Sequence, residues 1–391
     1  MLNRRFVTLW IVMGLSGMAS APVIALFSVY IDAELHQTPL FAATYRAVYM
    51  LLGGLFSVVA GALCDSLGRK RTFLIGLTGS LALARAFIAG QPLVLLLFFL
   101  YAGMTTGLQA TAGQAYLMAA VPKTTMGMAT AVYFLGYTFS SAIGSYAVGR
   151  IVEVSSFQVA GVVLSGLALI TLLIAVLVLP ALPRVVEGRA FSIAETLAGY
   201  RRIARRPDVT LLIQLRFIPT FYWGMATLLI PLLIYRATQS TLEAATYASV
   251  SLLAAAACHL ATGRLIDKVG YRIPVLMTIS LLTLAAVLSA TFATSVSGLF
   301  AAGVLGAAAA WSLATTIPGL VRTVAGEAEQ GRVLGVTELV WSLAMVSGNL
   351  AGGQLVEFDA GLPFWLAAVL LLPAVLVAWR LFHAGLAVET P

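Results

Sequence analysis

Charge is what this 391-residue chain has least of. Only 10% of its residues are Asp, Glu, Lys or Arg against 61% hydrophobic, and the mean hydropathy is +0.99. Soluble domains carry roughly a quarter charged residues, and no folded core hides this much apolar surface. The scarcity excludes a water-soluble globule and makes lipid the solvent. Cysteine is nearly absent as well. Cys64 and Cys258 each lie at the end of an apolar run, which suggests neither a disulfide framework nor a metal site. No G-x-x-x-x-G-K-[ST] segment occurs, so ATP-driven work within this chain is excluded. No nucleophile–base arrangement or metal motif emerges either, so an enzyme is not expected, nor any cofactor.

The charge that is present falls between apolar runs. The net +8 is spread over short clusters and forms no single basic patch, so nucleic acid is not an expected partner. Dividing the chain at charges, prolines and polar clusters leaves twelve runs of about 20 residues, the length of a bilayer-crossing helix. They are 6–31, 40–62, 72–90, 93–119, 127–149, 157–179, 209–235, 244–263, 273–292, 296–318, 333–356 and 362–382. The unalternating Leu/Ala runs argue for helices over barrel strands. The first run follows Arg4 and Arg5, lacks a clear cleavage site and exceeds a signal-peptide core, so it reads as a retained span.

With the N-terminus inside, one side of the membrane collects Arg69–Arg71, Lys123, the arginines of 184–206, Arg264, Lys268, Arg272, Arg322, Arg332 and Arg380. The other side receives only Arg150 and Arg236. That asymmetry places both termini in the cytoplasm. The longest loop, 180–208, separates six spans from six. The domains expected are a bundle over 1–180, a cytoplasmic linker over 181–208 and a second bundle over 209–391. Within the linker, Phe191, Ile193, Ala194, Leu197, Tyr200 and Ile203 could form the apolar side of a basic surface helix drawn to anionic lipid; a plain linker is the alternative.

The halves also match one another. GALCDSLGRK at 61–70 and GRLIDKVGYR at 263–272 share G-x-L-x-D-x-x-G-x-[RK], and residues 126–153 align without gaps to 330–357. In the second pair, Gly127, Gly144, Gly149 and Glu153 meet Gly331, Gly348, Gly353 and Glu357. Two matches at nearly one offset indicate a duplication.

Gly61, Leu63, Asp65, Gly68, Arg69 and Lys70 resemble the signature loop of the major facilitator superfamily, between its second and third spans. Gly263, Leu265, Asp267, Gly270 and Arg272 resemble its second copy. The resemblance covers the whole chain and implies an all-α membrane fold: twelve helices in two pseudo-symmetric six-helix bundles, with alternating access around a midplane site. It implies a conformational latch as well. Gly61 would let a neighbouring helix approach. Asp65 would face the positive N-terminal end of span 11 near Gly331–Gly335, a contact favourable by roughly 0.3–1 kcal/mol. The alternative is that these charges only set topology. Two family features are missing: YAGMTTG (101–107) has no arginine, and GSYAVG (144–149) lacks the proline seen in drug antiporters. Both absences weaken a drug/proton antiporter.

Ionisable groups at span depth cost roughly 2.5–3.5 kcal/mol each and are functional candidates. Arg46 could pair with Asp32 as an outer gate or coupling pair, or serve structurally. Arg85 is close enough to a span end to snorkel. Arg216 lies near Pro219, Tyr222 and Trp223, which could supply a bend and a stacking surface. Glu338 is the one carboxylate clearly inside a span, able to bind and release a proton or to form a static bridge with Arg216. His259 falls at the end of span 8, where a structural role is expected. Gln109, Tyr137, Trp341 and Asn349 are further cavity candidates, Tyr137 and Trp341 being equivalent in the two repeats.

The expected activity is secondary transport of a small solute, with proton-coupled efflux of a drug, sugar or metabolite across a bacterial-type inner membrane as the default. An anion or organic-acid transporter is the alternative, since three intramembrane arginines oppose one glutamate. A lipid flippase or transporter-like sensor would keep the same fold. The expected partners are the solute, protons and membrane lipid, with the chain a monomer. Replacing Asp65 by Ala should slow transport in proteoliposomes while leaving insertion intact; unchanged flux would remove the latch.

Overall fold

The computed structural model describes residues 3–121, 126–182, 206–325 and 330–383, apart from a few side chains within them. Among these residues the secondary structure is entirely helical. The helices are α1 (Arg4–Ala33), α2 (Pro39–Ser66), α3 (Arg69–Ala84, continued by a 3-10 turn Arg85–Ile88), α4 (Pro92–Ala120), α5 (Met126–Val154) and α6 (Phe157–Val178). They continue with α7 (Pro207–Thr238), α8 (Thr241–Val269), α9 (Arg272–Thr291), α10 (Val296–Val324), α11 (Gln330–Leu355) and α12 (Leu362–His383). Each corresponds to one run read from the sequence. The expected surface helix of the linker lies outside the described residues.

Local chemistry sets the helix starts. Asn3, Thr38, Ser156 and Ser295 accept hydrogen bonds from backbone N–H groups of the first turns of α1, α2, α6 and α10. Asp359 does the same for α12 through the Gly361 and Leu362 N–H groups, at 2.8 and 3.0 Å. Several helices run past the apolar stretch that predicts them: α2 reaches Ser66, α8 Val269 and α10 Val324. Charged residues end an apolar run but are good helix formers once the helix leaves the hydrocarbon.

Among the described residues, ten helices are long and apolar enough to cross a membrane. Large apolar side chains on α6 and α12 stay uncovered, including Val162, Leu177, Leu372 and Leu376. A face of that kind is stable only against lipid.

The chain divides into two compact units, Met1–Ala190 with Thr238–Leu253, and Phe191–Ala237 with Ala254–Pro391. In the first, α4 packs on α2 and α3, and α1 on α5 and α6. Aromatic rings tie α1, α2, α4 and α6: Phe27 meets Phe99 at 4.3 Å between centroids, and Tyr30 meets Phe157 at 5.3 Å. The first half of α8 groups with this unit because it lies on α5. The Ser249 hydroxyl donates to the Ala142 carbonyl at 2.8 Å, and Gly149 leaves no room for a Cβ beside Ala245. In the second unit, α9 packs on α10 and α12, and α11 touches both α10 and α12.

One arrangement recurs in both units. A Cβ on Gly144 of α5 would fall 2.5 Å from the Met18 carbonyl oxygen of α1. A Cβ on its repeat partner Gly348 of α11 would collide with the Phe221 carbonyl oxygen of α7, and one on Gly224 would fall 2.8 Å from the Met345 carbonyl oxygen. Only glycine permits backbones this close. Gly144→Val and Gly348→Val should each cost about 1–3 kcal/mol or more through overpacking, seen as a lower melting temperature in detergent. Gly166→Val, where a Cβ meets nothing within 4 Å, is the matched control.

Candidate functional site

The signature loops come first because backbone geometry explains them. Gly68 and Gly270 take φ of +90° and +72°, a region open to glycine and costly for other residues. Each ends one helix and lets the next start at once, α3 at Arg69 and α9 at Arg272. The motif's second glycine is therefore a requirement of the turn. Lys70 donates to the Val176 carbonyl at 3.0 Å and so binds the loop to the last turn of α6. A Cβ on Gly263 would meet nothing within 4 Å. The surroundings of Gly61, Asp65, Asp267, Gly331 and Gly335, on which the rest of the latch depends, lie outside what the structure describes.

In the first unit, Arg46 is among the largest wholly enclosed side chains, 1% exposed, with Tyr49 its electrostatic neighbour. Asp32 is half-buried near the end of α1. Gln109 donates to the Ser16 hydroxyl at 2.8 Å, and Ser16 shares a 3.2 Å hydrogen bond with Ser80, joining α4, α1 and α3. Ser16 and Ser80 carry no pattern in the sequence that marks them. Tyr137 packs where Gly17 of α1 leaves space, beside Ser20 and Ser141.

The second unit holds Arg216, Tyr222, Trp223, Glu338, Trp341 and Asn349. Arg216 lies nine residues into α7 and Glu338 eight into α11, depths of about 14 and 12 Å at 1.5 Å per residue. Their side chains meet: Arg216 Nη2 is 3.6 Å from Glu338 Oε1. The partners differ in exposure, 9% for the arginine side chain and 47% for the glutamate. A guanidinium this enclosed needs a counter-charge, and Glu338 supplies one from a position that stays reachable. Tyr222 is fully buried, with its hydroxyl against Gly306 of α10. Asn349 donates to the Met345 carbonyl of its own helix at 2.7 Å. Trp223 and Trp341 are half-buried. The exposed pair Arg236–Glu357, at 3.5 Å, was not anticipated and contributes little in water.

The repeat shows what is particular about Arg216 and Glu338. In the gapless pairing of α5 with α11, Glu338 corresponds to Phe134. Five residues before the seam carbonyls of Met18 and Phe221 stand Met13 and Arg216. Met13 and Phe134 belong to one apolar cluster of the first unit. The second unit thus carries an ion pair where the first packs a methionine and a phenylalanine. The fold does not need charge there.

The family model described as Major Facilitator Superfamily matches residues 9–235 and 215–387. No curated protein matches the chain in sequence. Among solved structures, a POT family transporter in complex with 5-aminolevulinic acid aligns with a TM-score of 0.84 at 12% identity, over 99% of this chain and 97% of that one. A mutant of the nucleoside transporter NupG aligns at 0.80 with 14% identity, over 97% and 100%. A bacterial homologue of the human lysosomal transporter Spinster aligns at 0.74 with 14% identity, over 97% of each. At such identities the likeness is one of fold.

Because Arg216 is buried, removing its carboxylate partner costs more than replacing both by apolar groups of similar size. Glu338→Phe alone should lower the melting temperature, and adding Arg216→Met should recover most of the loss. If the double variant is no more stable than the single, the ion pair is part of the fold.

Proposed function

The chain belongs to the major facilitator superfamily, and on that premise we propose a proton-coupled secondary transporter of a small solute, with Arg216 and Glu338 as the coupling pair. The observation that carries this reading is the charge pair standing where the other repeat is apolar. Desolvation makes an unpartnered guanidinium costly, so the charge state of Glu338 and the occupancy of the site beside Arg216 are linked. With Glu338 ionised, Arg216 is satisfied within the protein. With Glu338 protonated, Arg216 seeks another acceptor, from solute or from a rearranged helix. Proton binding and solute handling then share one free energy, which is the requirement for coupling.

The same premise supports an inner-membrane location with both termini cytoplasmic, action as a monomer, and efflux as the working direction. Asp65, Gly61 and Arg69 with their second copies Asp267, Gly263 and Arg272 form the latch in this proposal, about the turns at Gly68 and Gly270. Arg46 and Asp32 are a second coupling pair, and Gln109, Tyr137, Tyr222, Trp223, Trp341 and Asn349 contribute to the solute path. A second reading, transport of an organic anion, is favoured by the burial of both Arg46 and Arg216.

The test is flux into proteoliposomes under an imposed pH gradient. Glu338→Gln should lose gradient-driven accumulation by at least tenfold while keeping solute exchange at equal pH. Arg216→Ala should lose both. Gradient-driven flux that survives Glu338→Gln would remove the coupling role, and an anion flux lost only in Arg216→Ala would select the second reading.

A further inference from the structure

His259 lies deeper than the charge pattern of span 8 suggests. Helix α8 continues to Val269, so the imidazole stands ten residues before its end, about 15 Å, and within the stretch apolar enough to span. Its Nδ1 is 2.7 Å from the Thr315 hydroxyl of α10. That hydroxyl also bonds the Trp311 carbonyl one turn back, at 2.9 Å. A hydroxyl has one proton. The carbonyl can only accept, so Thr315 donates to Trp311 and accepts from His259. Nδ1 must then carry hydrogen, and the neutral ring presents a bare lone pair at Nε2.

Nε2 is buried and has no hydrogen-bond partner among the described residues. The same holds for the indole Nε1 of Trp311, whose ring meets the imidazole edge-on at 5.4 Å between centroids and 66° between planes. One orphan is an acceptor and the other a donor, on adjacent aromatic rings of α8 and α10. Buried polar groups are almost always satisfied, and exceptions mark functional sites.

We infer that His259 and Trp311 form a solute-recognition subsite for a neutral hydroxyl-bearing group, with Thr315 as the positioning residue that fixes the imidazole tautomer. This rests on the transporter reading and narrows its solute class. A hydroxyl donates to Nε2 and accepts from the indole N–H, satisfying both. A carboxylate satisfies the indole and sets its lone pairs against Nε2. An ammonium satisfies Nε2 and leaves the indole unpaired. The aromatic rings suit the C–H faces of a polyol or sugar.

The experiment uses the full-length protein in nanodiscs and needs no flux. The chain has three histidines, so ring nitrogen NMR signals can be assigned with His259→Phe. His259 should show hydrogen on Nδ1 in the free protein, and Thr315→Val should scramble that tautomer. Xylitol and glucose should shift the Nε2 signal, and lactate and ethylamine should not. Binding of the hydroxylated probes, read by titration, should weaken at least tenfold in His259→Phe and in Trp311→Phe, and less in Thr315→Val. Circular dichroism and melting temperature verify that each variant is folded.

Three results would overturn the subsite: hydrogen on Nε2 in the free protein, no response to either hydroxylated probe, or binding that His259→Phe and Trp311→Phe leave unchanged. Lactate or ethylamine binding with the same dependence on both rings would overturn the solute class. None of these bears on pH-driven flux through Arg216 and Glu338, so the two readings fail separately.

Discussion

Backbone-to-backbone contact at glycine is the constraint from which the rest of this structure follows. Lipid gives helices no hydrophobic reason to associate, so association depends on close packing and hydrogen bonds. Gly144 against the Met18 carbonyl and Gly348 against the Phe221 carbonyl bring α5 onto α1 and α11 onto α7. α5 and α11, the helices brought in by this contact, are also the gapless repeat pair. Their polar residues include Tyr137 and the buried Ser141 in one unit, and the half-exposed Glu338 and the buried Asn349 in the other.

A seam repeated in both units also supplies a reference within the molecule. Positions at equal distance from it have the same place in the fold, and a difference between them is one that packing does not impose. By that measure Met13 and Phe134 represent the inert version of the site, and Arg216 and Glu338 the altered one. The asymmetry supports the proposed role of the charge pair on grounds separate from its depth in the membrane, since buried charges also serve as structural bridges.

The fold was legible in the sequence because lipid imposes a coarse rule. About 20 apolar residues make a span, and all twelve runs became helices. Helix ends were less legible. Charge marks where hydrocarbon stops, whereas capping and backbone conformation mark where a helix stops. At α8 the two differ by six residues, enough to hide the depth of His259. The site was legible as residue types at a depth. Which of its pairings form was not decided there, because facing residues on α7 and α11 are fixed by the seam. The Arg216–Glu338 bridge stood in the sequence as one of two alternatives for the glutamate, and the Gln109–Ser16–Ser80 chain had no signal at all.

Pro219 stands three residues after Arg216 in α7, a 32-residue helix. A proline inside a helix has no N–H to give, so the Leu215 carbonyl loses its usual partner. Pro231 does the same further along, so flexural stiffness is lowered at two turns of α7, and the first of them carries the guanidinium. Mechanically α7 is a rod with a compliant joint at its charge. A small change in force at that joint, such as the loss of attraction to a carboxylate, is converted into angle over the length of helix beyond it.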